Sequence, residues 1–241
     1  TFGSFVVLSI SGSLSSTRER ISCSAFSLPA GFEVKPFLKV ICWFTLLIEM
    51  AGAAALHPVF VAHQAPQPLW QAIFHSVSAF CTAGFGLFND SFESYRADVR
   101  LNCIIMALSY AGAIGFIVFA DLWRCLRCRQ ARITLTSKII LVSTICLSAL
   151  GTVLVALNEP TVRTLPAGER WLASLFQVMS ASTTVGFNTV PIGPLSASSL
   201  FLLALIMTVG ASPSGTGGGL KTTSFTALWA AMISVIRQRD V

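Results

Sequence analysis

A four-residue motif, Thr-x-Gly-Phe, occurs twice in the chain at the same place in a repeated segment. Residues 74–85 align without a gap on residues 176–187, at an offset of 102 residues, and six of the twelve aligned positions are identical. A glycine in each copy permits left-handed backbone angles that other residues resist. Successive peptide carbonyls can then face one side and replace part of the hydration shell of an alkali cation. The sequence therefore predicts two filter segments that bind potassium, or a similar monovalent cation, through their backbone: Thr82, Ala83, Gly84, Phe85, Thr184, Val185, Gly186 and Phe187.

Other patterns that support chemistry are sparse in this sequence. No apolar segment carries a paired Ser/His, a His-Glu-x-x-His or a two-Asp pattern, so an enzyme is not expected. Cys125 and Cys128 form a lone Cys-x-x-Cys without a second ligand pair, so neither a metal nor a redox cofactor is expected. Glu49, inside an apolar run, is either a structural partner of another helix or part of an ion path. His75 is expected to have a structural role.

A glycine-rich stretch interrupts the last long apolar run. Residues 195–236 contain one charge, Lys221, and as a single helix they would extend about 63 Å, twice the bilayer thickness. Leu220 stands where a phosphate-binding loop requires glycine, which excludes that motif. A cytoplasmic linker is one interpretation; we favour an intramembrane loop, residues 210–221, that gates the ion path. Its gate residues are Gly210, Ser212, Pro213, Gly215, Gly217, Gly218, Gly219 and Lys221.

Membrane helices must position these motifs, because the chain is too apolar for a soluble domain. Its composition is 54% hydrophobic and 11% charged, with a mean hydropathy of +0.75. Apolar windows long enough to span a bilayer are residues 40–61, 101–120, 139–157 and 195–220.

Basic residues indicate the orientation of these spans. They cluster before residue 40, between residues 124 and 138, and at the end of the chain, so these regions are expected in the cytoplasm. They form no face interleaved with aromatic residues, so nucleic-acid binding is not expected. Each Thr-x-Gly-Phe follows a tryptophan, Trp70 or Trp171, and about three helical turns, too few to span. The predicted fold is an all-α membrane protein of repeated helix, re-entrant pore loop, helix units with a broken final helix.

Three stretches resemble the Trk/Ktr-type potassium transporters, whose pore subunit has four successive units of this kind. They are residues 74–88, 183–196 and 209–225, and the last is similar to the gating loop in the third unit of that family. We therefore expect a part of a longer architecture. Residues 1–16 would end a preceding membrane helix, 17–36 form a cytoplasmic link, 37–130 form one complete unit and 131–241 the next.

The resemblance also implies a function and a setting. It implies potassium uptake by a multi-pass protein of the bacterial inner (plasma) membrane, in contact with lipid. A homodimer and a cytosolic nucleotide-binding regulatory subunit are implied in the same way. Two alternatives remain open: a non-conducting structural or regulatory membrane subunit, and a truncated remnant of such a transporter.

Overall fold

The computed structural model describes residues 34–127 and 132–237, and this part of the chain is almost wholly helical. The all-α class is thereby confirmed. The predicted helix end at 1–16, nearly all of the predicted link at 17–36, and Cys128 lie outside the described residues. In chain order the helices are α1 (Val34–Ala62), α2 (Pro68–Phe80), α3 (Val99–Ile114), α4 (Phe116–Arg127), α5 (Leu135–Asn158), α6 (Pro160–Arg163), α7 (Ala167–Thr183), α8 (Ala197–Thr208) and α9 (Thr222–Arg237).

Two of these helices are long and apolar enough to cross a membrane. They are the 24-residue segments Lys39–Ala62 of α1 and Leu135–Asn158, which is α5. Less than half of each is buried inside the chain, and side chains such as Trp43 and Ile145 are exposed. An apolar helix surface of this kind is stable facing lipid and costly facing water.

The predicted membrane span over residues 101–120 is bent in the structure. The chain turns by 94° between α3 and α4, and the pair counts as a third span only if the bent pair is taken together. Gly115 stands at the corner with a left-handed φ of +78°. A Cβ added there would lie 2.4 Å from the carbonyl carbon of Ser214, so the glycine-rich loop packs directly against the corner. A contact with a distant segment determines this bend, and the local apolar pattern does not reveal it.

In chain order the helices divide into two groups, called here the first unit (α1–α4) and the second unit (α5–α9), each of which contains a short helix, α2 or α7. In the first unit α2 packs between α1 and α3, and in the second α7 packs against α5 and α8. The units join where α3 contacts α7 and where buried aromatic side chains from both units meet, including Phe60, Phe92, Phe176 and Phe187. The predicted break in the last apolar run is also present, since α8 ends at Thr208 and α9 begins at Thr222.

Candidate functional site

The short helices α2 and α7 deliver the two Thr-x-Gly-Phe segments to one place. Each begins beside a proline, Pro68 at the start of α2 and Pro166 just before α7, where an N–H donor is not needed. α2 ends at Phe80, one residue before its motif, and α7 ends at Thr183, directly before its motif. The C-terminal end of each helix, which carries partial negative charge, thus stands at the start of a predicted filter segment. This charge favours a cation there.

The backbone of the two predicted filter segments has the same unusual pattern in both repeats. Thr82 and Gly84 have φ angles of +48° and +70°, and Thr184 and Gly186 have +58° and +90°. The residue between each pair keeps a negative φ. Glycine adopts positive φ readily, but a β-branched threonine in this region is strained. Strain repeated at equivalent positions of two units is typical of a functional site.

The two segments lie against each other. A Cβ added to Gly84 would fall 1.8 Å from the carbonyl oxygen of Val185, so no side chain fits between these backbones. Gly186 differs, since a Cβ added there would meet nothing within 4 Å. The two motifs therefore lie at one location in the structure. Among the described residues no group of three His, Cys, Asp or Glu side chains is suited to a metal ion.

The phenylalanines that end the two motifs have different environments. Phe187 is buried, and its ring centroid lies 4.9 Å from that of Phe92 in the first unit. Phe85, at the equivalent position, is 71% exposed. Its carbonyl oxygen accepts a hydrogen bond of 2.8 Å from the Ser78 hydroxyl, which ties this end of the segment to α2.

Hydrogen bonds join the two units just after the two motifs, between Asn188 of the second unit and residues 91–93 of the first. The backbone N–H of Phe92 donates to the carbonyl of Asn188 at 3.0 Å, and the Asn188 N–H donates to the Ser91 hydroxyl at 3.1 Å. The Asn188 amide also donates to the Glu93 carboxylate at 2.8 Å. Asn188 directly follows Phe187, so these bonds fix the end of the second segment relative to the first unit.

The glycine-rich loop, residues 210–221, is an ordered turn whose two ends are paired. The Gly210 N–H donates to the Leu220 carbonyl at 2.9 Å, and the Leu220 N–H donates to the Thr208 carbonyl at 3.0 Å. The Lys221 ammonium donates to the Gly217 carbonyl at 2.9 Å. Glycine is required inside this turn, because a Cβ on Gly210 would lie 1.9 Å from the Gly218 carbonyl oxygen.

The same loop contacts both predicted filter segments directly. The Thr216 hydroxyl donates to the Phe80 carbonyl at 3.1 Å and lies 3.1 Å from the Thr82 hydroxyl, which donates to it. The Gly218 N–H donates to the Thr184 hydroxyl at 2.7 Å. The strained threonine of each motif is therefore bonded to the loop. Sequence reasoning missed Thr216, because no local pattern distinguishes its hydroxyl from those of neighbouring residues.

Further contacts attach the loop to the corner of α3 and α4 and to the end of α7. The Ser212 N–H donates to the Ala113 carbonyl, and the Thr216 N–H donates to the Gly112 carbonyl. A Cβ on Gly215 would lie 1.9 Å from the Ala113 carbonyl oxygen, and one on Gly217 would lie 2.7 Å from the Thr183 carbonyl oxygen. Beside the loop is a cavity of about 210 Å³, lined by Pro213, Ser214, Phe44, Phe80 and Phe116 among others.

Two carboxylates within the apolar part of the structure have definite partners. The Glu49 carboxylate accepts a weak hydrogen bond from the Cys81 thiol at 3.7 Å, and the Glu49 carbonyl accepts one from the Ser76 hydroxyl at 2.7 Å. Glu49 thus contacts the first pore loop from α1. Asp121 is buried and accepts hydrogen bonds from Thr134, Ser137 and Arg124, which links α4 to the start of α5. The sequence pattern indicated no such role for Asp121.

Comparison with known proteins identifies a family model that matches the chain and several sequence relatives. The family model for TrkH, described as a cation transport protein, matches residues 32–240. The Ktr system potassium uptake protein B of Vibrio alginolyticus is 33% identical over 94% of the chain and 50% of that protein. The potassium/sodium uptake protein NtpJ of Enterococcus hirae is 35% identical over 80% of the chain and 43% of that protein. The chain thus spans about half the length of these relatives.

A solved structure has the same fold. The potassium transporter TrkH from Vibrio parahaemolyticus superposes on 88% of the chain, and on 45% of its own length, with a TM-score of 0.70 at 20% sequence identity. This likeness concerns the fold alone. The sequence relatives named above are transport proteins by their names.

Proposed function

The chain belongs to the TrkH family of cation transport proteins, multi-pass proteins of the plasma membrane, and we propose that it supplies two adjacent units of a potassium uptake pore. The cation would bind to the backbone oxygens of residues 82–85 and 184–187. The observation that carries this proposal is the repeated left-handed pattern at Thr82, Gly84, Thr184 and Gly186, in two segments that touch at Gly84 and Val185.

The names of the sequence relatives favour potassium as the proposed substrate. The names of the Ktr relatives specify potassium, and that of NtpJ specifies potassium and sodium. Backbone carbonyls that replace a hydration shell suit a large monovalent cation, which is dehydrated at lower cost than a divalent ion. The helix ends at Phe80 and Thr183 add partial negative charge at the same place. No further cofactor is needed for this function.

The loop at residues 210–221 would act as the gate. Its hydrogen bonds to Thr82 and Thr184 keep it against the ends of both filter segments, where it would block an ion that leaves them. The loop is joined to the rest of the chain by hydrogen bonds to α3, Phe80, Thr82 and Thr184. Each of these bonds makes a net contribution of about 1 kcal/mol. A regulatory partner that supplies a few kcal/mol would shift the loop to an open position. The Lys221 ammonium sits in the same loop and adds a positive charge that repels cations.

The exposure of the Phe85 side chain supports the proposal that a further unit lies on the other side of the first filter segment. Phe187 packs into the first unit against Phe92, so a third unit of the same design would receive Phe85 in the equivalent place. Four such units surrounding one axis would complete the filter. The family resemblance also implies that the protein forms a homodimer and binds a cytosolic nucleotide-binding subunit. Lipid would lie against α1, α5 and α9.

Uptake by cells that lack their own potassium transporters tests this function. We expect the native gene, expressed as its full reading frame, to restore growth at low potassium. The Gly186→Ala variant, present at equal abundance, should admit more sodium relative to potassium than the wild type. A membrane-inserted wild-type protein that carries no potassium would indicate a non-conducting subunit or a remnant. Unchanged selectivity in Gly186→Ala would refute the filter assignment.

A further inference from the structure

A buried polar side chain occupies the same position of both pore helices, α2 and α7, and contacts the return strand of its own unit, which is the name used here for the irregular segment directly after the Thr-x-Gly-Phe motif. In α2 this residue is His75, and in α7, at the repeat offset of 102 residues, it is Gln177. His75 is completely buried and Gln177 is 4% exposed. Buried polar groups are unfavourable unless they are bonded, so the partners of these two side chains are informative.

Both side chains accept a hydrogen bond from the equivalent backbone N–H. The His75 Nε2 accepts from Leu87 at 3.3 Å, and the Gln177 Oε1 accepts from Thr189 at 3.4 Å. Leu87 and Thr189 are themselves 102 positions apart, and each lies five residues after the threonine of its motif. The two units therefore repeat the interaction as well as the sequence, although histidine and glutamine differ in shape.

The protonation of His75 follows from its partners. Its Nδ1 lies 2.8 Å from the Gln71 carbonyl oxygen, which only accepts, so Nδ1 carries the proton. The Leu87 N–H only donates, so Nε2 is unprotonated and the ring is neutral. In this form the ring is a rigid connection between the helix backbone and the strand.

The ring of His75 also packs against aromatic side chains of both units. Its centroid lies 5.1 Å from that of Phe88, almost parallel, and 6.3 Å from that of Phe187, which ends the second segment. The ring is further enclosed by Phe60 and Phe92 at 5.6 and 5.1 Å. A single side chain thus holds the strand after the first segment and packs against the end of the second.

We propose that His75 and Gln177 are positioning residues for ion selectivity, which fix the distance between each return strand and its pore helix and so hold the filter carbonyls apart. This inference rests on the proposed filter. A filter that collapses or widens by a fraction of an ångström changes its preference among alkali ions, so a fixed outer strand is needed for discrimination.

Substitutions that keep the shape but remove the acceptor test this role. His75→Phe fills the aromatic site without an acceptor, Gln177→Met keeps the length of glutamine, and His75→Gln restores the group that the second unit uses. With the native full reading frame in uptake-deficient cells, we expect His75→Phe and Gln177→Met to lower the ratio of potassium to sodium uptake at least about threefold at equal abundance. His75→Gln should lie closer to the wild type than His75→Phe does.

The Gly186→Ala variant separates failure of this inference from failure of the filter. If Gly186→Ala alters selectivity while His75→Phe and Gln177→Met do not, the positioning role is refuted and the filter remains. If all three leave selectivity unchanged, the filter assignment fails and the inference fails with it. Amide hydrogen exchange on the wild-type protein decides the case where the variants do not accumulate. Slow exchange at Leu87 and Thr189 is expected, and fast exchange at both would refute the role.

Discussion

At the scale of single residues, Gly84 and Gly186 of the proposed filter both have a positive φ but differ in their surroundings. Alanine at either position must adopt a positive φ, which costs about 1–2 kcal/mol. At Gly84 the new Cβ would also collide with the Val185 carbonyl, whereas at Gly186 the space is open. We therefore expect Gly84→Ala to lower the thermal stability of the purified protein clearly more than Gly186→Ala. Equal melting temperatures would contradict the close approach of the two segments.

Glu159 is a second residue whose contacts give a measurable prediction. Burial alone would raise its pKa, but hydrogen bonds from Ser199, Ser196 and Thr161 outweigh this effect and lower the pKa from 4.5 to about 2. The charged carboxylate connects the end of α5 to the start of α8, because Ser196 caps α8 and donates to it at 2.7 Å. The stabilisation is complete above pH 4.5 and is lost as the pH falls through about 2.

We expect Glu159→Gln to lower the melting temperature at pH 7 and to remove the part of the acid destabilisation that lies between about pH 4.5 and pH 2. Glu169→Gln is the matched control, because the Glu169 carboxylate makes a partly exposed ion pair with Arg96 at 3.5 Å, and such pairs contribute little. Melting curves of the three proteins across this pH range provide the test. Parallel pH profiles for wild type and Glu159→Gln would contradict the assigned bonds.

At the scale of elements, the loop between α8 and α9 is held by side-chain and backbone bonds to the two Thr-x-Gly-Phe motifs and to the end of α2. Thr216 makes two of these contacts, with Thr82 and with the Phe80 carbonyl. Thr216→Val keeps the shape of the side chain and removes both bonds, so the loop should leave its closed position more often. We expect potassium uptake without the regulatory partner to rise at least about threefold, while Thr216→Ser stays near the wild type.

Thr226→Val is the control for this gate prediction, since the Thr226 hydroxyl bonds to the Thr222 carbonyl within α9. Its uptake rate should remain unchanged. Uptake rates are compared at equal membrane abundance by following a radioactive potassium analogue such as rubidium. Equal rates for Thr216→Val and the wild type would contradict a role for this hydroxyl in holding the gate closed.

Local sequence patterns predicted the helices and their breaks only where the cause is local. The repeat, the short pore helices and the interruption at Pro213 follow from residue types and spacing. The 94° turn at Gly115 does not, because residues 101–120 form an unbroken apolar run and the loop determines the turn. The bonds of Thr216 were hidden for the same reason, since its partners Phe80 and Thr82 belong to the other unit. The bond of His75 to Leu87 lies within one unit, but it depends on how the segment after the motif folds back against α2.

At the scale of the whole molecule, the asymmetry of the two motif phenylalanines reports how units are arranged around the axis. Phe187 is buried against the first unit, and Phe85 is exposed in the described part of the chain. If a further unit covers Phe85 in the native full-length protein, Phe85→Ala should destabilise it as much as Phe187→Ala, by about 3–5 kcal/mol. Phe201→Ala on α8, whose side chain is 66% exposed, is the control and should cost little. A small effect of Phe85→Ala would contradict a covering unit.

The position of the bound cation tests the central claim most directly. The claim is that the backbones of residues 82–85 and 184–187 together bind one dehydrated monovalent ion. Crystals of the native full-length protein grown with thallium, whose size is close to that of potassium, would locate it by anomalous scattering. We expect a peak between the two segments, coordinated by their carbonyl oxygens, that is lost when sodium replaces thallium. Thallium bound elsewhere along the pore, with neither segment contacting it, would contradict the claim.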